Sequence, residues 1–125
     1  MADSESQLVA AIRRALDAAD LDAFGELLDP RVTWGAPGDP APPCRNRRQV
    51  LQWYQRGRAA GRQARVIDIT THGDKILVAL AVTDTTAGAA ETDRWQVLTV
   101  ADGKIRDIRG YDRRDLAVAA AGLSG

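Results

Sequence analysis

Asp84, Arg94, Gln96, Tyr54, Trp34 and Arg109 are the side chains whose types and placement suit chemistry on a small organic molecule. Asp84 closes an apolar run, Ile76 to Val82. A desolvated carboxylate there would have a raised pKa and could act as a general base. Arg94 and Gln96 share one face of an alternating segment with Leu98, where they would be polar groups in an apolar cavity, placed to hold an oxyanion. Tyr54 adds a hydroxyl that can orient a carbonyl. Trp34, beside a proline-rich loop, is an expected ligand contact. Arg109 is a ligand contact or one half of a structural ion pair with the Asp107 neighbourhood.

Other reactive types point away from familiar chemistry. His72 is the one histidine and falls in a turn signal, which argues against a Ser-His-Asp triad or a histidine metal site. Cys44 lies beside Arg45, a cation able to lower its pKa, but has no histidine nearby, and an exposed or half-buried thiol is expected. No cluster has metal-ligand spacing, so neither metal nor cofactor is expected. Between Asp39 and Asp68 stand seven arginines, at 45, 47, 48, 56, 58, 62 and 65, and no acid. Either an anion sits at the helix start near Arg45, Arg47 and Arg48, or acids such as Asp17, Asp22 and Glu26 neutralise the patch.

Composition sets the frame for these residues. A chain of 125 residues with 45% apolar content fits one domain, 1–125, able to bury a core. Lys+Arg and Asp+Glu both number 17, so the electrostatic footprint of a nucleic-acid binder is missing and nucleic acid is not an expected partner. One cysteine excludes an internal disulfide, and no signal-like or membrane-length apolar run is present. A reducing cytoplasm, away from membranes, is the expected location.

The elements that must position the site follow from periodicity. A helix starting after Asp3 or Ser4 puts Leu8, Ile12, Ala15 and Leu16 on one face. Asp20 caps a second helix carrying Leu21, Phe24, Leu27 and Leu28, Pro30 stops it, and Val32-Thr33-Trp34 reads as a strand. Gly35 to Pro43 holds four of the five prolines and must be a loop. Asn46, with Gln49 three residues on, caps a third helix whose stripe is Val50, Trp53, Tyr54 and Gly57, and Gly61 closes it. Strands are expected over 65–71, 76–85, 92–100 and 104–111, with hairpin signals at 72–75, 86–90 and 101–103. The middle strand alternates Ile76, Val78, Leu80 and Val82 with Leu77, Ala79, Ala81 and Thr83, a set small but for Leu77, which implies that both faces are covered. Residues 112–125 form a short helix or a frayed tail. The sum is an α+β fold: three N-terminal helices packed on one face of a strongly curved, mainly antiparallel sheet.

The run Leu16-Asp17-Ala18-Ala19-Asp20-Leu21-Asp22, the Asp29-Pro30 stop before Val32-Thr33-Trp34, and Trp95 to Tyr111 (WQVLTVADGKIRDIRGY) resemble the SnoaL-like group of the nuclear transport factor 2-like superfamily. The resemblance runs from about Leu8 to about Tyr111. It implies a cone-shaped barrel with an apolar pocket between sheet and helices for a small organic ligand, and a homodimer formed through the convex sheet face.

Fold does not fix activity in that superfamily. Its ketosteroid isomerases carry a carboxylate just before a proline, where this chain has Ala36 before Pro37. They carry an oxyanion-holding tyrosine at the position of Ile12, and a second donor at about Gln96, which cannot exchange a proton at neutral pH. Its limonene-type epoxide hydrolases use an Asp-Arg-Asp relay, of which Val82-Thr83-Asp84 keeps Asp84 while Gly110 stands at the other aspartate. Two readings stay open. One is a cofactor-independent acid/base enzyme of isomerase, cyclase or hydrolase type acting on a carbonyl-bearing or polycyclic substrate, with Asp84 as base. The other is a non-catalytic module that binds a ligand or dimerises.

Overall fold

The computed structural model describes residues 2–84 and 91–123. Helix α1, Ala2–Asp17, turns Ile12 and Ala15 into the core with Leu8 and Leu16 against them, as the spacing predicts, although it begins before Asp3. It ends in a Schellman arrangement, Asp20 N–H donating to the Ala15 carbonyl (2.9 Å) and Ala19 N–H to that of Leu16 (3.2 Å), with Ala19 left-handed at φ 52°. Asp20 then caps α2, Leu21–Glu26, by accepting from Ala23 N–H at 3.1 Å.

Strand β1, Leu28–Gly35, starts earlier than expected and includes Pro30. The proline is tolerated because β1 is an edge strand whose register against its neighbour is irregular between Leu28 and Thr33. Asn46 caps α3, Arg47–Ala59, by accepting from Gln49 N–H at 2.9 Å, and Gln49 Oε1 in turn accepts from Arg45 N–H at 2.8 Å. The expected cap and its glutamine partner are both present.

Strands β2 (Arg62–His72), β3 (Lys75–Asp84), β4 (Glu91–Ala101) and β5 (Lys104–Tyr111) complete a five-stranded sheet of order β1-β5-β4-β3-β2. The β1–β5 pair is parallel, and the β5–β4, β4–β3 and β3–β2 pairs are antiparallel. The hairpin signal at 86–90 lies outside the described residues. The helical side of the sheet buries Val66, Ile76, Val78, Leu80, Leu98, Ile105 and Ile108 against Ile12, Phe24, Leu28 and Val50. Each fully buried aliphatic side chain of this kind contributes about 1.5–3 kcal/mol. The C-terminal segment is helical: α4, Arg114–Ala120, lies on the opposite, convex face, where Ala117 and Ala121 cover Leu77 and Val97. Among the described residues, no helix is long and apolar enough to cross a membrane.

Candidate functional site

Alternation along β4 sends Gln96 to the helical side with Leu98, and β3–β4 register pairs it with Val78. Helix α3 delivers Tyr54 to the same place, and Gln96 Nε2 donates to the Tyr54 hydroxyl at 3.0 Å. From β1, Trp34 stacks on Trp53 with ring centroids 4.1 Å apart, and Phe24 and Trp53 both meet Tyr54 edge-on at 5.3 Å. Three of the side chains singled out by sequence, Trp34, Tyr54 and Gln96, thus converge within one aromatic wall.

The polar atoms of this wall are incompletely matched. Gln96 is only 7% exposed, and its Oε1 is buried without a hydrogen-bond partner, as is Trp34 Nε1. The Trp34 indole lies close enough to the Tyr54 hydroxyl to pull its pKa down, yet its N–H makes no hydrogen bond of regular geometry. Burial outweighs that pull and pushes the Tyr54 hydroxyl up to about 12. Tyr54 therefore stays protonated at neutral pH, a hydrogen-bond donor with no capacity to act as base.

Asp84 stands elsewhere on the same side of the sheet. It is half-buried at the end of β3, in the alternation of Leu80 and Val82, with Arg62 opposite it in register. Six positions separate it from Val78, the register partner of Gln96, which is about 20 Å along a strand. Arg94 pairs with Leu80 and so shares that side, but is exposed. The arrangement does not bring Asp84 together with Tyr54 and Gln96.

Arg109 points the other way. Its register partner Val97 belongs to the convex cluster, and its Nε donates to both Asp107 carboxylate oxygens at 3.1 and 3.0 Å. Nη1 reaches the Ala36 and Asp39 carbonyls, both at 2.9 Å, so Arg109 ties the proline-rich loop to the sheet. Thr33 Oγ1 hydrogen-bonds the same Asp107. The ion-pair reading of Arg109 is the one this geometry supports.

Cys44 is buried, not exposed or half-buried as expected, because its backbone bridges to Trp34 and draws the thiol into the core. Burial raises its pKa, and the opposing cation is Arg56, not the adjacent Arg45. The arginine patch is partly spent on structure: Arg58 Nη1 donates to the Ala19 carbonyl at 2.9 Å, and Arg65 meets Glu91 at 3.4 Å. Asp17, expected to help neutralise it, instead accepts from Val66 N–H at 2.8 Å. Asp20, Asp22, Gln55 and Arg58 line a surface groove of about 540 Å³ between the α1–α2 link and α3. That groove is the seam made by the Arg58–Ala19 contact, away from the aromatic wall. Gly110, which the sequence marks only as standing where an epoxide hydrolase has its second aspartate, pairs with Gln96 and leaves room for the Trp34 ring. A lone glycine in a strand pattern was the available signal.

A curved sheet with helices on its concave side and a few polar groups in an apolar wall defines the nuclear transport factor 2-like class. Within it, the profile of the SnoaL-like domain matches residues 9–108, and the chain belongs to that family. Solved structures agree on the fold. A proposed polyketide cyclase from Sinorhizobium meliloti is 24% identical with TM-score 0.67, covering 84% of this chain and 94% of its own. Another from Xanthomonas campestris pv. campestris is 18% identical with TM-score 0.70, covering 94% and 96%. A protein from a soil-derived mobile gene cassette is 16% identical with TM-score 0.74, covering 95% and 96%. A search of curated proteins finds no match to the chain. The isomerase positions are apolar or solvent-facing here: Ile12 is fully buried in the core and Ala36 is exposed.

Proposed function

We propose that this SnoaL-like domain is a small-molecule pocket protein that takes a carbonyl-bearing organic ligand on Trp34, Tyr54 and Gln96. The observation that carries the reading is the Gln96–Tyr54 hydrogen bond set among the rings of Phe24, Trp34 and Trp53, where the buried Gln96 Oε1 is left without a partner. Buried polar atoms left unpaired cost about 1–3 kcal/mol each, a cost that a ligand supplying partners would relieve. A thermal-shift and calorimetric screen of small aromatic carbonyl compounds tests it. Wild-type protein should be stabilised by compounds that fail to stabilise Tyr54→Phe, and equal shifts in both proteins would argue against this site.

A second reading, acid/base catalysis on a carbonyl-bearing or polycyclic substrate, is favoured by one feature: Asp84 is half-buried on the concave side at a strand end. Two structural relatives carrying proposed polyketide cyclase names keep that chemistry in view. Asp84 and Tyr54 would have to touch distant parts of one substrate, which suits a polycycle better than a small ketone. Asp84→Asn should abolish turnover while leaving ligand affinity intact. Pairing of two copies is proposed on the part of the convex face away from α4, where Ile67 is 47% exposed, and sedimentation analysis checks it. A buried free thiol fits a reducing cytoplasm.

A further inference from the structure

The surface over α2 and α3 carries opposite charges in two stripes, side by side. At one end of the helix pair Arg58 Nη1 donates to the Ala19 carbonyl, and at the other a β-carbon built on Gly25 would come within 2.9 Å of Leu51 Cδ1. Residue number therefore rises along α2 as it falls along α3, and the two helices run antiparallel. Asp22 and Glu26, one turn apart and both exposed, continue from the Asp20 cap as an acidic stripe on α2. Arg47, Arg48 and Arg58, all exposed, form a basic stripe on α3. Asp22 stands about one turn from the level of Arg58, and Glu26 about one turn from that of Arg47 and Arg48.

Between the stripes lies the groove of about 540 Å³, with Asp20 and Asp22 on one side and Gln55 and Arg58 on the other. The charges do not close across it. Among the described residues, Asp22, Glu26, Arg47 and Arg48 take part in no ion pair, and Arg58 turns to a backbone carbonyl. The first turn of α3 holds no acid, so Arg47 and Arg48 stand against the positive end of the helix dipole. A carboxylate arriving from outside the chain meets two cations and that dipole together.

The occupant follows from the pairing of the stripes. Lys+Arg and Asp+Glu both number 17, so two copies approach without net repulsion and their local patches decide how they meet. A purely acidic partner would set like charge over the α2 stripe, and a purely basic one would do so over α3. A second copy matches both. A twofold axis in the contact plane, parallel to the helices, lays the acidic stripe of one copy over the basic stripe of the other at the same level, whereas an axis across the helices lays acid on acid.

We propose that the α2–α3 face is a self-complementary, salt-sensitive contact between two copies of this chain, related by a twofold axis parallel to the helices. Asp22 of one copy meets Arg58 of the other, Glu26 meets Arg47 and Arg48, and each contact occurs twice. Exposed ion pairs contribute little singly, so the association depends on all of them together and weakens as salt screens them. It is separate from the pairing around Ile67 on the convex face, which rests on apolar burial and is not screened by salt.

Sedimentation velocity in about 20 mM and about 500 mM salt tests this. Wild-type protein at low salt should have twice its high-salt mass, whether the high-salt species is one copy or a convex-face pair. The double variants Asp22→Arg with Glu26→Arg, and Arg47→Glu with Arg48→Glu, each checked for folding by circular dichroism, should lose the low-salt doubling. An equimolar mixture of the two should regain it, because a mainly basic face then meets a mainly acidic one. Where a double variant does not fold, Glu26→Gln and Arg48→Gln, which only remove charge, should each weaken the low-salt association roughly threefold or more. Equal mass at both salt concentrations, a doubling that survives the charge reversals or is unweakened by the charge removals, or a mixture that stays apart overturns the proposal. Wild-type protein that does not double at low salt but binds poly-L-glutamate overturns it too, and gives the α3 stripe to an acidic partner.

Discussion

Gly110 lies under the indole of Trp34: a β-carbon built on the glycine would sit 3.3 Å from Cη2 and 3.5 Å from Cζ2 of that ring. The contact bears on the limonene-type epoxide hydrolases of the superfamily, whose second aspartate aligns with Gly110 in the sequence. Where their second aspartate would stand, an aromatic ring occupies the space. Gly110→Ala is expected to cost about 1–2 kcal/mol through overpacking. Gly110→Asp is expected to cost about 3 kcal/mol or more, because an unpaired carboxylate would be forced beneath the ring. Urea denaturation of the two variants measures both, and an unperturbed Gly110→Asp would mean that the indole moves aside freely.

Tyr54 gives the protein a stability term confined to alkaline pH. Its hydroxyl is raised from 10.0 to about 12 by burial, so the native state favours the protonated form. The sign follows: the contribution is complete below pH 10 and is lost as pH rises toward the folded-state value. A shift of this size corresponds to roughly 2–3 kcal/mol. Denaturation from pH 8 to 12 should show wild type losing that much more stability than Tyr54→Phe, and parallel profiles would refute the burial of the hydroxyl.

The elements that local chemistry specifies were legible in the sequence. Asp20 and Asn46 cap helices because a short polar side chain before an apolar stripe does so anywhere, and the alternation of β3 and β4 reads directly as faces. The site was legible in part. Gln96 could be assigned to the face of Leu98, but its partnership with Tyr54, 42 residues away in the chain, depends on how α3 crosses the sheet. Residue type and place at a strand end single out Arg109 and Asp84 in the sequence, whereas alternation on β5 and distance along β3 decide what each can reach. Pro30 misled for a related reason: as a helix stop it is unambiguous, but edge strands also accept it.

Ala19 is the residue where a single substitution should stabilise the fold. It closes α1 in the left-handed region at φ 52°, a conformation that costs an L-residue with a β-carbon about 1 kcal/mol and costs glycine little. Ala19→Gly should gain about 0.5–1 kcal/mol, since the native-state relief exceeds the extra freedom that glycine has in the unfolded chain. Thermal denaturation should show the melting temperature rising by a few degrees, and a fall would place the strain elsewhere.

Cys44 should behave as a core residue and not as a nucleophile. Its thiol is buried, contacts the Gln49 carbonyl at 3.7 Å, and is held above its ordinary pKa by desolvation. The thiolate fraction at neutral pH is correspondingly small. A chromogenic disulfide reagent at pH 7.5 should react with native protein at least a hundredfold more slowly than with protein in urea, and comparable rates would show that the loop around Cys44 opens readily.

The Thr33–Asp107–Arg109 clamp makes a prediction that separates a structural arginine from a ligand-binding one. Asp107 joins Thr33 of the edge strand to Arg109, and Arg109 in turn holds the Ala36 and Asp39 carbonyls of the proline-rich loop. The pair is about one quarter exposed, at 20% and 25%, so solvent screening is incomplete and a partner left alone is penalised. Arg109→Ala should destabilise the protein by about 1–3 kcal/mol and speed proteolysis within residues 36–43. Arg109→Lys, which keeps the charge but cannot reach Asp107 and two carbonyls with one planar fork, should recover only part of the loss. Ligand affinity at Tyr54 and Gln96 should fall far less than loop protection in both variants, because the guanidinium lies on the opposite face of the sheet from those residues. A variant that lost binding while keeping its loop protected would return Arg109 to the ligand site.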